Sequence, residues 1–148
     1  MKITEHFTLA ELTATQHRQF DNTPNDEEKA NLLRLAELLE RVKSALDMRP
    51  IMINSAFRSK AVNDAVGSKD TSQHRLGCAA DFRVPGMTPD QVVRKIIASG
   101  IEYDQILREF SDPIKGGGWT HISIPNTIDT APRKQALIID GFGTRQFV

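Results

Sequence analysis

The segment Ser72-Gln73-His74-Arg75-Leu76-Gly77-Cys78-Ala79-Ala80-Asp81 is followed, well downstream, by Trp119-Thr120-His121-Ile122-Ser123. Two histidines and an aspartate are a ligand set that zinc accepts. Three protein ligands leave one coordination position open, which distinguishes a catalytic zinc site from a structural one. A plainer reading stands beside this one. A His–Asp pair in a glycine-containing loop is often a turn held by hydrogen bonds, and a strand histidine is often packing.

Strand periodicity separates the two readings. Side chains alternate along a strand, so Thr120, Ile122 and Ile124 share one face while Trp119, His121 and Ser123 share the other. The isoleucines suit a core, which turns His121 to the opposite face. Ala80, Phe82 and Val84 likewise oppose Asp81 and Arg83. The candidate ligands therefore lie away from the core, which favours the metal reading.

The remaining elements read as follows. Thr8 and Glu11 form a capping box, with Phe7 and Leu12 spaced as a hydrophobic staple, for a short helix over Leu9 to Thr13. A long amphipathic helix is expected from about Pro24 to Leu46, with Leu32, Leu35, Leu39, Val42 and Leu46 on one stripe. Pro50 to Asn54 reads as a buried strand, Lys60 to Val66 as a brief helix capped by Ser59 and ended by Gly67, and Ala80 to Val84 as a strand. Thr88-Pro89-Asp90-Gln91 starts another helix, with Val92, Val93, Ile96 and Ile97 as its buried face and Gly100 as its end. Strands are expected over Tyr103 to Phe110, Trp119 to Ile124 and Ala136 to Ile139, the first two joined by a hairpin through Gly116-Gly117-Gly118. The fold class is α+β, a small and mainly antiparallel sheet packed against helices, in one domain over residues 1–148.

Composition narrows the function classes. Lys+Arg and Asp+Glu both number 19, so no global field draws the chain to nucleic acid or to a membrane. No apolar stretch is long enough to cross a bilayer. The N-terminus lacks the apolar run of an export signal, so the chain is expected to be made in the cytoplasm. The single cysteine, Cys78, excludes an intrachain disulfide and is read as packing rather than as a ligand. His6 and His17 fall outside the motifs and read as ordinary surface or helix-end residues.

Several blocks in this order carry a resemblance: Phe7-Thr8-Leu9-Ala10-Glu11-Leu12, Asn22-Thr23-Pro24, Ile53-Asn54-Ser55-Ala56-Phe57-Arg58-Ser59, Val62-Asn63, Ser-x-His-x-x-Gly-x-Ala-x-Asp, Tyr103 to Glu109, and Trp119-x-His121-x-Ser123. Together they resemble the zinc D-Ala-D-Ala carboxypeptidases and the phage L-Ala-D-Glu endopeptidases, whose fold is related to the hedgehog signalling domain. The resemblance covers nearly the whole chain and implies Zn2+ held by His74, Asp81 and His121.

Metal-assisted hydrolysis also needs a carboxylate that moves a proton from water to the leaving amine. Many members of the family carry an acid three positions before the last histidine, where this chain has Gly118. Glu109, at the end of the strand leading into the hairpin, is the favoured general base, with Asp104 and Asp112 as weaker candidates. The resemblance implies that Arg58 holds a substrate carboxylate, for which its guanidinium fork is suited. A structural pairing of Arg58 with Asp81, Asp64 or a loop carbonyl is the competing reading. Ser72 and Trp119 are further substrate-side candidates, and Gln73 has no evident role.

These readings imply a monomeric metallopeptidase that cleaves bacterial peptidoglycan stem peptides, as a D,D-carboxypeptidase or an L,D-endopeptidase. A phage-encoded enzyme acting on the host wall at lysis, or as a virion component, suits the expected lack of an export signal. The alternative is a zinc- and peptide-binding module, virion-associated or hedgehog-like, that does not hydrolyse.

Overall fold

A computed structural model describes residues 1–148. Helix α1 (Leu9–Thr13) carries the expected capping box of Thr8 and Glu11. Helix α2 (Asp26–Ala45) starts later than the sequence reading placed it. Asn25 is the N-cap, and its side chain and that of Glu28 each bond the other's backbone N–H. Leu32, Leu35, Leu39, Val42 and Leu46 are all fully buried, as the stripe requires. Truncating one of these leucines to alanine would cost about 2–5 kcal/mol.

Strand β1 (Met52–Ser55), helix α3 (Lys60–Ala65), a 3₁₀ turn (Gln73–Leu76) and strand β2 (Ala79–Arg83) follow. Helix α4 (Pro89–Ser99) has Thr88 as N-cap and ends at Gly100 in the left-handed region. Its Val92, Val93 and Ile96 are buried, but Ile97 is 40% exposed and does not belong to the buried face expected for it. Strands β3 (Gln105–Glu109), β4 (Trp119–Ser123), β5 (Gln135–Asp140) and β6 (Gly143–Gln146) complete the chain. Strand β6 escaped the sequence reading because all its residues are exposed, so it shows no apolar alternation.

The six strands form one sheet in the order β1-β2-β4-β3-β5-β6, antiparallel except for the parallel β3–β5 pair. The mixed α+β class is as expected. Ala80, Phe82, Ile106 and Ile122 join the apolar residues of α2 and α4 in one core cluster. Strand alternation then turns Asp81, Leu107, Glu109 and His121 to the other face. Register brings them close: Asp81 pairs with His121, Leu107 with His121, and Glu109 with Trp119. A β-bulge between Ile53 and Ser55 leaves Asn54 out of the β1–β2 ladder beside this face. No helix is long and apolar enough to cross a membrane.

Candidate metal centre

His74 sits on the 3₁₀ turn, where Ser72 Oγ accepts from its backbone N–H at 3.3 Å. Gly77 closes the turn at φ +78°, and a Cβ there would lie 2.9 Å from the Glu28 carbonyl of α2. Only glycine lets the loop lie this close to the helix. His74 Nδ1 lies 2.7 Å from the carbonyl of Ala56. A carbonyl only accepts, so Nδ1 carries the proton and Nε2 presents its lone pair. That lone pair faces Asp81 Oδ2 at 3.2 Å.

Burial holds the His74 imidazole's pKa below its ordinary value, against the opposing pull of Asp81. A neutral nitrogen acceptor thus faces a carboxylate oxygen in a buried site, an arrangement that a cation between them satisfies. On the other side, His121 Nδ1 lies 2.8 Å from Asp81 Oδ1. Burial opposes charging of His121, but the hydrogen bond to Asp81 and the negative charges of Asp81 and Glu109 together outweigh it and raise the pKa. Burial likewise works against the Asp81 carboxylate, yet the two imidazoles keep its pKa far below the usual range.

One donor atom from each of His74, Asp81 and His121 lies within 4.8 Å of the others. With bonds of about 2.0–2.2 Å, tetrahedral zinc needs its ligand atoms about 3.3 Å apart. His74 Nε2 and Asp81 Oδ2 meet this at 3.2 Å, and His121 stands within the wider 4.8 Å limit, so the donor set can hold zinc. The fixed His74 tautomer supplies the outer-shell orientation that such ligands need.

Arg58 braces the centre from the segment between β1 and α3. Its Nη2 donates to Asp81 Oδ2 at 3.3 Å and its Nε to Ser55 Oγ at 3.0 Å. Its backbone N–H donates to the His74 carbonyl at 2.9 Å. The structural pairing of Arg58 with Asp81 is therefore present, while Nη1 has no protein partner.

Glu109 faces Trp119 across β3–β4, and the Trp119 indole N–H donates to its Oε2. Burial pushes the Glu109 pKa above the ordinary carboxylate value, as suits a group that must both take and give a proton. Phe110 follows at φ +50°, its ring 5.5 Å from that of Trp119.

Gly118, at φ +61°, explains the missing acid. A Cβ there would lie 2.1 Å from the Glu109 carbonyl oxygen and 2.5 Å from the Phe110 carbonyl. This backbone has no room for any side chain three positions before His121.

The other carboxylates are engaged elsewhere. Asp104 accepts from the Arg133 backbone and guanidinium and from Gln73 Nε2. Asp112 accepts from the backbone of Ile114 and Lys115 in the hairpin turn. Gln73, which had no evident role in the sequence, also donates to the Ile124 carbonyl and to Asn126 Oδ1, tying the His74 turn to the chain beyond β4. Ala56 acts through its carbonyl and so leaves no side-chain signal. Cys78 is buried in the core, where burial pushes its thiol to about 11. His6 pairs with Glu40 at 2.6 Å, away from the centre.

None of the curated proteins matches the chain. The family model described as Peptidase M15 matches residues 5–114, about three quarters of the length. That span contains Arg58, His74, Asp81 and Glu109, while His121 joins them from the strand beyond it. The chain belongs to the peptidase M15 family of zinc-dependent metallopeptidases.

Proposed function

We propose that this metallopeptidase hydrolyses a peptide bond in the stem peptides of bacterial peptidoglycan, with Glu109 as general base and then general acid. The observation that carries this reading is the Glu109 carboxylate. It shares a sheet face with the ligand set, and burial has raised its pKa. Zinc bound by His74, Asp81 and His121 would supply a Lewis acid that polarises the scissile carbonyl and acidifies water. Glu109 Oε2 is held by the Trp119 indole, which leaves Oε1 to accept a proton from the attacking water and pass it to the leaving amine. Arg58 keeps Asp81 oriented and offers Nη1 to a substrate carboxylate, while Trp119 walls the cleft. Ser72 serves by capping the turn that presents His74.

Purified protein assayed for zinc content and for hydrolysis of defined muropeptides, beside Glu109→Ala, tests the proposal. Hydrolysis that disappears in the variant with zinc retained is the expected result. Bound zinc without hydrolysis of any stem peptide would favour the non-hydrolytic peptide-binding module, a reading kept in play by the acid missing at position 118.

A further inference from the structure

Asp81 and Arg83 lie two residues apart on β2 and so share the face that carries the metal centre. The rise along a strand separates their Cα atoms by about 7 Å. Arg83 Nε donates to the Gly118 carbonyl at 2.7 Å. That bond fixes the guanidinium at the glycine hairpin and leaves both terminal nitrogens without a protein partner. No carboxylate lies within ion-pair distance of Arg83, whereas Arg58 already has Nη2 on Asp81 and Nε on Ser55 and keeps only Nη1 free.

Two depressions meet at this side chain. One, of about 440 Å³, is bordered by Asp81, Trp119, Asn54 and Arg83. The other, of about 470 Å³, shares Asn54 and Arg83 and continues past Met52, Pro85 and Met87. Arg83 is the only cation bordering either depression, and Asp81, committed to the two imidazoles, is the only carboxylate. The bulge that frees Asn54 from the ladder turns a second polar group to the same junction.

We propose that Arg83 is a specificity residue that binds a substrate carboxylate within about two residues of the scissile bond, with the aliphatic part of that residue lying against Met52, Pro85 and Met87. The tethered fork suits bidentate carboxylate recognition. This inference rests on the peptidase reading above and names the substrate feature that the site selects.

The test uses the full-length protein with Glu109→Gln, so that peptide is bound without being consumed, and follows NMR shifts on titration. The probes are L-Ala-γ-D-Glu-L-Lys with a free α-carboxylate on the glutamate and the same tripeptide as its α-amide. The free acid is expected to bind roughly tenfold tighter or better, the scale of one charge-assisted hydrogen bond. Adding Arg83→Gln should abolish that preference while leaving the amide's affinity unchanged, and Arg83→Lys should keep part of it. Equal affinity for acid and amide, a preference that survives Arg83→Gln, equal loss for both peptides, or no binding of either would overturn the proposal. Hydrolysis by the unsubstituted protein is measured alongside. An Arg83-dependent preference without any hydrolysis would uphold this inference and sink the catalytic reading instead.

Discussion

Trp119 donates its indole N–H to Glu109 Oε2 across the β3–β4 pair, and this contact holds the carboxylate on the face that His121 and Asp81 share. Glu109→Gln preserves shape and removes the proton acceptor. Turnover of a stem peptide is expected to fall roughly 10²–10⁴-fold, with zinc content unchanged. Steady-state kinetics beside metal analysis checks this, and full activity in the variant would remove Glu109 from the mechanism.

Asp81 reaches both imidazoles and Arg58 at once. Asp81→Asn is expected to weaken zinc binding by more than about 100-fold, beyond the 10–100-fold typical of outer-shell changes. Chelation of the unsubstituted protein should lower its Tm, and added zinc should restore it. A site-directed ligand contributes about 2.7 kcal/mol at a hundred times its Kd. Calorimetric titration and thermal melts with and without chelator measure both effects. A Tm indifferent to zinc would count against the site.

Position 118 has no room for the acid that the family resemblance leads one to expect there. Gly118→Glu forces a Cβ to within 2.1 Å of the Glu109 carbonyl oxygen. A loss of more than about 2 kcal/mol is expected from steric overlap and left-handed strain, and Glu109→Gln activity should not be rescued in the double variant. Denaturant unfolding and turnover read out the two parts. A stable, active double variant would show that the hairpin opens readily.

Asp104 supplies a pH dependence of stability. Burial alone would raise its pKa, but the Arg133 and Gln73 hydrogen bonds outweigh burial and bring it below the ordinary value. A folded-state pKa below that of the unfolded chain, about 3.9, gives stabilisation that is complete above about pH 5. It is lost as pH falls through the folded value. Asp104→Asn is expected to destabilise the protein by about 2 kcal/mol at pH 7, with the gap to the unsubstituted protein narrowing as pH falls below about 4. Unfolding free energies across that range provide the check, and a pH-independent gap would refute it.

Local chemistry in the sequence was enough for the candidate ligand set and most of the elements. The stripe on α2, the caps at Thr8, Ser59 and Thr88, and the alternation around Asp81 and His121 are short-range patterns, and the structure follows them. Patterns fail where exposure removes the signal, as in β6, or at a helix edge, as at Ile97. They fail also where a side chain's role depends on a partner far along the chain. Asp104 reads as a weaker general-base candidate until Arg133 closes on it, and Gln73 has no evident role until it meets Asp104, Ile124 and Asn126.

His74, Asp81 and His121 could be named as candidate ligands from residue type, with strand period supporting Asp81 and His121, because a donor set and a two-residue repeat are properties of the chain itself. Three things were decided only by the folded structure: the proton on His74 Nδ1, the closure of position 118 to any side chain, and the tethering of Arg83 beside the cleft. Each depends on a backbone carbonyl brought in from elsewhere: Ala56 against His74, Glu109 against Gly118, and Gly118 against Arg83. Every residue carries such a carbonyl, so the sequence gives no sign of which one will matter until the sheet register places it.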